Sequence, residues 1–318
     1  MEEIYDLIIL GGGPAGMSAG IYAMQTKLKT LLIEKECFGG QLLTTSSITN
    51  YLGFENIGGN ELSEKMHTHL KSTGIKIVNE EVTATKLNDK IKEVYTHNNH
   101  YKSYSVIVSI GTTVRKLGVE NESKYIGHGI SYSTLRDREN FTNQNVAIVG
   151  GGNSAIEDAI YLSEKANKVY LIHRRQEFRA DPLLVEQLYK QIEKFNKIEL
   201  VLESKPHSII GEDSVTGLNY TFIPDNSIHT LDVQGIFVAI GRGADTDIID
   251  TSINRDENGY IITDNLMQTN LDGVYAVGDI RNTPLRQIIT ATADGAIASI
   301  SANNYIKKLK KGDNLWKY

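Results

Sequence analysis

Apolar and polar positions follow the same order in two separate parts of the chain. In each part an apolar run is followed by a glycine-rich turn, a helical pattern and a second apolar run; the parts cover residues 6–34 and 145–172. Short apolar runs bounded by turn residues are typical of buried strands, and strand, turn, helix and strand together make a βαβ unit. Since both parts keep this order, the pattern predicts two copies of one nucleotide-binding unit.

The first glycine turn has the spacing of a dinucleotide-binding turn. Gly11 permits the tight turn, Gly13 lets the backbone approach a pyrophosphate, and Gly16 allows the next helix to pack close to the strand. The second strand ends at Glu34, 23 positions after Gly11, where an acid can hold a ribose hydroxyl. A lone glycine motif is often a surface loop, but the surrounding strand, helix and acid favour a nucleotide site.

The second glycine turn differs at the position of that acid. His173 stands 23 positions after Gly150. The arginines that follow it are Arg174, Arg175 and Arg179. A cluster of guanidinium groups suits the doubly charged 2′-phosphate of NADP, whereas an acid would hold a 2′-hydroxyl. We therefore expect the two turns to bind different dinucleotides, with a solvated basic loop as the alternative explanation of the arginines.

The remaining segments predict helices and short strands. Helical spacing occurs at 60–72 and 183–195, and short strands are predicted within 76–110 and 198–233. His67 and His69 lie on different faces of the first helix, so we expect both to be solvated rather than metal ligands.

Two apolar strands end in glycine, at Gly111 and Gly241, and we interpret these glycines as the points where the chain crosses between domains. A later strand ends at Gly278-Asp279, before a helix predicted at 287–306. An aspartate there can hold a sugar-like hydroxyl chain, while the helix N-terminus can stabilise an anion. We infer that the second nucleotide unit is inserted into a first domain that is split.

Composition and charge narrow the function. The 318 residues, 40% of them apolar, suffice for two domains with an ordinary core each. The first residues lack the features of a signal peptide and no apolar run is long enough to span a membrane, so we expect a cytoplasmic protein. A net charge of −6 gives no general attraction to nucleic acid or acidic membranes. The one cysteine, Cys37, rules out an internal disulfide and any dithiol relay within this chain.

Together these motifs resemble the low-molecular-weight thioredoxin reductase group of flavoproteins, over nearly the whole chain. The resemblance implies an α/β fold of two Rossmann-like domains, each a three-layer ββα sandwich. It places an FAD-binding domain at 1–115 and 245–318, with an NADPH-binding domain inserted at 116–244 and the basic C-terminal tail in the last part. It also implies a homodimer and the cofactors FAD and NADP(H).

The resemblance assigns particular positions to each cofactor. For FAD they are Gly11, Gly13, Pro14, Ala15, Gly16, Glu34, Lys35, Gly40, Gln41, Leu42, Asn50, Gly111, Gly278, Asp279, Arg286, Gln287 and Ile288. For NADP(H) they are Gly152, Asn153, Ser154, Ala155, His173, Arg174, Arg175, Arg179 and Gly241. Within the first set, Asn50 would face the flavin, Asp279 would bind the ribityl chain, and Gln287 with Ile288 would present N–H groups to the flavin ring.

The chain departs from the group at the redox centre. Reductases of thioredoxin carry a Cys-x-x-Cys pair before the second glycine turn, where this chain has Ser133 and Arg136. Neither side chain can exchange thiols, so thioredoxin reduction by the usual route is excluded. Cys37 follows the predicted ribose ligand and is expected to be structural or incidental. A second departure is Gly118, near which the group often has a proline at the domain crossing.

One subgroup of this family lacks the cysteine pair and moves electrons between NADPH and ferredoxin or flavodoxin, and it fits the chain best. The segment 305–318 has five lysines against one aspartate, which would attract an acidic carrier, and Trp316 or Tyr318 could cover the flavin. A solvated basic tail is the alternative explanation. The other candidate functions are an NADPH oxidase or free-flavin reductase, a disulfide reductase that uses a cysteine of another protein, and a nucleotide sensor.

Overall fold

A computed structural model of the chain describes residues 3–45 and 47–312. It divides into two compact units. Unit 1 combines Met1–Thr113 with Gly243–Tyr318, and unit 2 is Val114–Arg242, where the sequence analysis places an inserted domain at 116–244.

The strands and helices are numbered in chain order. The strands are β1 (Ile4–Leu10), β2 (Thr30–Glu34), β3 (Lys76–Asn79), β4 (Val82–Lys86), β5 (Lys92–Thr96), β6 (His100–Val108), β7 (Thr113–Val114), β8 (Ile130–Ser131), β9 (Asn145–Gly150), β10 (Lys168–Ile172), β11 (Ile198–Val201), β12 (Ser204–Gly211), β13 (Val215–Phe222), β14 (Ile228–Leu231), β15 (Gly235–Ala239), β16 (Arg242–Gly243) and β17 (Val274–Ala276). The α-helices are α1 (Pro14–Gln25), α2 (Gly59–Ser72), α3 (Thr134–Asp137), α4 (Asn153–Ser163), α5 (Pro182–Phe195) and α6 (Ile288–Gly312).

The sheet of unit 1 is built around β6. Its parallel part has the order β3-β2-β1-β6. The other edge of β6 pairs antiparallel with β5 near its start and parallel with β17 near its end. Because β17 comes from the C-terminal part of the chain, this edge joins the two segments of unit 1 in one sheet.

Both faces of this sheet are covered, as expected for parallel strands. Along β1, Leu7 and Ile9 belong to a core shared with α1 and α6, whereas Ile8 and Leu10 belong to a core on the opposite face. This alternation follows from the two-residue period of a strand. It explains why β1 is apolar at successive positions rather than at every second one.

Unit 2 repeats this plan. A parallel sheet with the order β11-β10-β9-β15-β8 packs against α4 and α5 on one face. Residues of its other face, including Ala147 and Val149, share a core with residues of the antiparallel sheet β12-β13-β14. Helices, a parallel sheet and an antiparallel sheet therefore form three layers, which confirms the predicted α/β class with two Rossmann-like units.

Three helices differ in extent from the sequence expectation. The sequence pattern predicts helices that start at Met17 and at Ile156, but α1 begins at Pro14 and α4 at Asn153, so each starts directly at its glycine turn. Proline is well tolerated at the first helical position because its missing N–H would have no partner there. α6 continues to Gly312, so its last lysines are helical and do not form a separate tail. Within the described residues, no helix is long and apolar enough to cross a membrane.

Candidate nucleotide-binding sites

The glycine turn of unit 1 is shaped by close backbone contacts. A Cβ atom added at Gly16 would lie 1.9 Å from the carbonyl oxygen of Gly11, and one added at Gly11, where φ is +102°, would lie 2.6 Å from that of Ser109. Around Gly13, by contrast, no atom lies within 4 Å of such a Cβ. The first and third glycines are thus required by packing, while the middle one leaves open space at the N-terminus of α1, where N–H groups can bind an anion.

Glu34 is held at the end of β2 by this turn. Its carboxylate accepts hydrogen bonds from the backbone N–H of Gly12 at 2.5 Å and of Glu36 at 3.0 Å. Each carboxylate oxygen can accept more than one bond, so Glu34 keeps the capacity to bind a ribose hydroxyl. The neighbouring Lys35 is exposed, and its ammonium lies 3.9 Å from the Glu36 carboxylate.

The side chain of Gln41 connects the two segments of unit 1. Its Nε2 donates to Oδ2 of Asp279 at 2.9 Å and to Oγ1 of Thr112 at 3.1 Å. Gln41 lies in a 3-10 turn, Gly40–Thr44, in which the side chain of Leu42 is buried. Leu42 can therefore offer only backbone groups to a ligand, whereas Gln41 fixes the carboxylate of Asp279.

A second bridge joins Asn50 to the start of α6. Nδ2 of Asn50 donates to Oε1 of Gln287 at 3.0 Å. The backbone N–H of Gln287 donates to Oγ1 of Thr290 at 3.2 Å, so it already has a partner within the chain. Ile288 is the first residue of α6, where backbone N–H groups lack helical acceptors. The guanidinium of Arg286 lies 4.0 Å from the ring centre of Tyr260.

Asp294, which the sequence analysis did not single out, supports the Gly278-Asp279 turn from α6. Its Oδ2 accepts from the Gly278 N–H at 3.1 Å and from Nη1 of Arg281 at 3.2 Å. Burial raises the pKa of Asp294, although the Arg281 guanidinium opposes this shift. The available sequence signal was a single carboxylate in the otherwise uncharged first half of this helix.

Phe38 covers part of the first turn. Its ring lies where a side chain on Gly12 would be, and it stacks on His67 with ring centres 4.0 Å apart. The expectation that His67 is solvated is wrong: its Nε2 is buried and has no hydrogen-bond partner among the described residues. Burial accordingly lowers the pKa of His67. Cys37, next to Phe38, is exposed.

Unit 2 contains a cavity of about 560 Å³ at the carboxyl ends of its parallel strands. Ligands of open α/β sheets bind at this edge. The side chains and turns that line it are Val114, Arg115, Leu117, Tyr132, Val149, Gly150, Gly151, Gly152, Asn153, Ser154, Asp158, Ile172, His173, Arg174, Arg179, Ser204, Lys205, Pro206, Val238, Ala239, Ile240, Gly241 and Arg242. Every predicted NADP(H) position except Ala155 and Arg175 is among them.

The second glycine turn forms hydrogen bonds with the loop after β10, which carries the arginines. The carbonyl oxygen of Gly151 accepts from the backbone N–H of Arg179 at 2.8 Å, and Oδ1 of Asn153 accepts from that of Asp181 at 2.9 Å. A Cβ atom added at Gly152 would meet nothing within 4 Å. The turn therefore fixes the loop after β10 and leaves room above the start of α4. Ala155 is buried beneath the turn.

His173 contributes packing contacts rather than a positive charge. Its ring stacks on Phe178 and occupies the space above Gly151, and only 8% of the residue is exposed. Its Nε2 lies 3.1 Å from the carbonyl oxygen of Glu177, which can only accept, so this nitrogen carries the proton. Burial lowers the pKa of His173, and we conclude that the ring is neutral at pH 7.

The positive charge of the cavity comes from other side chains at the same end. Arg174 and Arg179 line it together with Lys205, a cation that the sequence analysis missed because it comes from β12 rather than from the loop. None of these three has an ion-pair partner among the described residues. Unpaired cations in one cavity favour binding of a phosphate group.

Ser133 and Arg136 lie in the short connection after β8. Ser133 precedes α3, and the guanidinium of Arg136 forms two hydrogen bonds, both of 2.8 Å, to the carboxylate of Asp137. Asp137 also accepts from Oγ of Ser131 at 2.6 Å. An ion pair between neighbouring residues therefore lies where the family resemblance implies a pair of thiols.

The buried carboxylate of Glu122 stabilises the segment with which the chain enters unit 2. It accepts from the backbone N–H of Leu117 at 2.8 Å, from that of Gly118 at 3.0 Å, and from the hydroxyl of Tyr132. Burial and this carboxylate raise the pKa of Tyr132, so its hydroxyl stays protonated. Gly118 has φ of +75°, a conformation closed to proline, which also lacks the N–H.

Comparisons with known proteins give a consistent result over nearly the whole chain. The model of the pyridine nucleotide-disulphide oxidoreductase family matches residues 5–295. The thioredoxin reductase of Listeria monocytogenes is 37% identical over 311 residues, which cover 98% of this chain and 96% of that protein. The crystal structure of Lactococcus lactis thioredoxin reductase has a TM-score of 0.84 at 35% identity, covering 96% of this chain and 99% of that one. A ferredoxin-flavin thioredoxin reductase from Clostridium acetobutylicum has a TM-score of 0.55 at 30% identity, covering 97% and 99%.

Proposed function

Because the chain belongs to the pyridine nucleotide-disulphide oxidoreductase family and is similar to its thioredoxin reductases, we propose that it passes electrons between NADPH and a one-electron carrier protein, ferredoxin or flavodoxin. The enzyme is an oxidoreductase of a family that uses FAD and NADPH. The observation that carries the proposal is the absence of a second cysteine, since the 318 residues contain only Cys37. Without a dithiol, electrons leave the flavin directly.

The two units fit the two cofactors. In unit 1 the open space at Gly13, the carboxylate of Glu34 and the fixed Asp279 would hold the pyrophosphate, the ribose and the ribityl chain of FAD. In unit 2 the space at Gly152 and the unpaired Arg174 and Arg179 would hold NADP(H). Bound flavin can accept a hydride and release electrons singly, so the chain must supply binding, orientation and a docking surface.

Lysines of α6 are the proposed docking surface for an acidic carrier. Lys307, Lys308 and Lys311 are exposed, whereas Lys310 forms an ion pair of 2.6 Å with Asp6 and is half-buried. Three exposed lysines within little more than one helical turn give a local positive patch on a chain of net charge −6. Trp316 and Tyr318, the candidates for covering the flavin, lie outside the described residues.

We also propose a homodimer, as the family resemblance implies, and a location in the cytoplasm, as the sequence analysis predicts. An apolar groove of about 550 Å³ beside α6 is lined by exposed residues that include Tyr22, Leu266, Ile297 and Ile300. A surface of this kind suits association with a second copy. Sedimentation of the wild type against Ile297→Asp tests this, because a dimer that uses the groove dissociates on introduction of the charge.

The test of the main proposal is NADPH-driven reduction of purified ferredoxin and flavodoxin beside thioredoxin. We expect reduction of a carrier and none of thioredoxin. The rate should fall with salt, since exposed charge pairs are screened over about 8–10 Å at 0.1–0.15 M salt. Lys307→Gln with Lys311→Gln should weaken this dependence, while the matched exposed pair Lys27→Gln with Lys71→Gln should not.

The relatives supply a second candidate. The names of the Listeria and Clostridium proteins contain thioredoxin reductase, and reduction of a disulfide through a cysteine of another protein would bring that activity to this chain. Thioredoxin reduction in the same assay would replace the carrier proposal with this one. Rapid oxygen consumption without any carrier would instead indicate an NADPH oxidase or free-flavin reductase.

A further inference from the structure

Asp158 is a carboxylate inside the cavity of unit 2 that the proposed electron transfer does not use. It lies on α4 four residues after Ser154, so both side chains are on the same face of the helix. Both also line the cavity. Asp158 is half-buried and has no ion-pair partner among the described residues.

The position of Asp158 follows from the strand order. β9 lies between β10 and β15, and a dinucleotide bound to such a sheet places its two halves on opposite sides of this central strand. The cations Arg174, Arg179 and Lys205 are on the side of β10 and mark the adenosine half. The other half would lie beside the ends of β15 and β8, near Tyr132 and Asp158. This placement rests on the proposed binding of NADP(H) in unit 2.

The surroundings of Asp158 set its charge. Burial raises the pKa of Asp158 to about 6; the nearby side chain of Thr134 opposes this shift, and the charge of Glu157 adds to it. The carboxylate is therefore ionised near neutral pH and neutral in mild acid. The other ionisable side chains that line the cavity are Arg115, Tyr132, His173, Arg174, Arg179, Lys205 and Arg242.

We propose that Asp158 is a specificity-determining residue that makes the cavity bind NADP⁺ more tightly than NADPH. The two forms share their phosphates and ribose groups, so the arginines and Lys205 act on both alike. They differ in the nicotinamide ring, which carries a positive charge only when oxidised. A carboxylate at the nicotinamide end, partly removed from water and not neutralised by a cation, attracts the oxidised ring alone.

The charge of Asp158 affects turnover. Ionised Asp158 retains the oxidised nucleotide, and its protonation removes this preference. Binding of NADP⁺ should in turn lower the pKa of Asp158, because ligand and proton compete for the same charge. The relative affinity for the two nucleotide forms then depends on pH, whichever electron carrier the enzyme serves.

The experiment is calorimetric titration of the FAD-loaded enzyme with NADP⁺ and with 1,4,5,6-tetrahydro-NADP, a neutral analogue that cannot donate a hydride. At about pH 8, roughly two units above the pKa of Asp158, we expect Asp158→Asn to weaken NADP⁺ binding by roughly fivefold and to leave the analogue unchanged. At about pH 5 the wild type should resemble the variant. Asp158→Glu should restore the preference, and the exposed Glu193→Gln should not alter it.

Thr134→Val tests the role of the charge independently, because it should raise the pKa of Asp158. Loss of the Thr134 hydroxyl removes a polar group that favours the ionised carboxylate of Asp158, so the preference for NADP⁺ should appear at higher pH than in the wild type. The inference is overturned if Asp158→Asn changes both ligands equally or changes neither. Titration with 2′,5′-ADP, which lacks nicotinamide, tests the placement separately: if it does not bind, or if Arg174→Ala and Arg179→Ala leave its binding unchanged, NADP(H) does not lie in this cavity.

Discussion

Gln41 and Asp279, 238 positions apart in the chain, form a hydrogen bond of 2.9 Å from Nε2 to Oδ2. The amide thus sets the direction of a carboxylate that we assign to the ribityl chain of FAD. A charged group held in this way loses little freedom when a ligand binds, so its hydrogen bonds contribute nearly their full strength.

Asp279→Ala is therefore expected to weaken FAD binding by about ten- to a hundredfold, because a hydrogen bond to a charged group contributes about 1.5–3 kcal/mol. Asp279→Asn should have a smaller effect, since its amide oxygen can still accept from Gln41. Flavin fluorescence during titration of the apoprotein measures the affinity. Asp213→Asn, in an exposed turn of unit 2, is the control. Equal FAD affinity of Asp279→Ala and the wild type would contradict the assignment.

The arginines after β10 should differ in their effect on nucleotide preference. Arg174 and Arg179 line the cavity, whereas Arg175 does not. We expect Arg174→Ala or Arg179→Ala to reduce the preference for NADPH over NADH by roughly tenfold or more, through loss of a charge-assisted contact to the 2′-phosphate. Arg175→Ala, a matched change at the next position, should reduce it less. The ratio of kcat/KM values for the two nucleotides measures this, and a larger effect of Arg175→Ala would show that the loop binds the phosphate differently.

Cys37→Ser should retain full activity with the natural acceptor. The thiol is exposed beside the turn that we assign to the adenosine half of FAD, and the chain has no second cysteine with which it could form a disulfide. Steady-state rates with bound flavin provide the measurement. A loss of more than about tenfold, well beyond the effect expected of a surface substitution, would revive a mechanism based on this cysteine.

Truncation at two positions should show how much the end of α6 and the residues beyond it each contribute to thermal stability. A chain that ends at Gly312 keeps every described contact of α6, so its thermal stability should match the wild type. A chain that ends at Ala302 loses the buried Ile306 and the ion pair of Lys310 with Asp6. Removal of one such buried side chain costs about 2–5 kcal/mol, so this chain should unfold at lower temperature. Unchanged stability on ending at Ala302 would contradict the packing described here.

Substitution of Gly118 tests the crossing into unit 2. Gly118→Ala places a side chain at φ of +75° and should destabilise by about 1–2 kcal/mol. Gly118→Pro also removes the N–H donated to Glu122 and should cost about 3 kcal/mol or more. Chemical denaturation of the two variants compares these costs. Wild-type stability of Gly118→Pro would mean that the crossing adopts another conformation in solution.

Fold class and family could be predicted from the sequence alone. The order of apolar runs and glycine turns is local, and the strands, turns and helices follow directly from it; the resemblance to thioredoxin reductases and the two Rossmann-like units are confirmed. Loss of the redox-active cysteine pair was also visible in the sequence, because thiol chemistry depends on residue type alone. The starts of the helices were harder to predict. A helix can begin directly after a turn glycine, before its apolar spacing becomes visible in the sequence.

The folded structure was needed to show which side chains act together and which of them are charged. Lys205 joins Arg174 because β12 passes beside the loop after β10, and Asp294 supports the Gly278-Asp279 turn because α6 lies against it. These contacts join positions far apart in the chain, and no local pattern encodes them. The charge of His173 and of Asp158 likewise depends on burial among neighbours, because removal from water disfavours the ionised form and only the folded chain creates that environment.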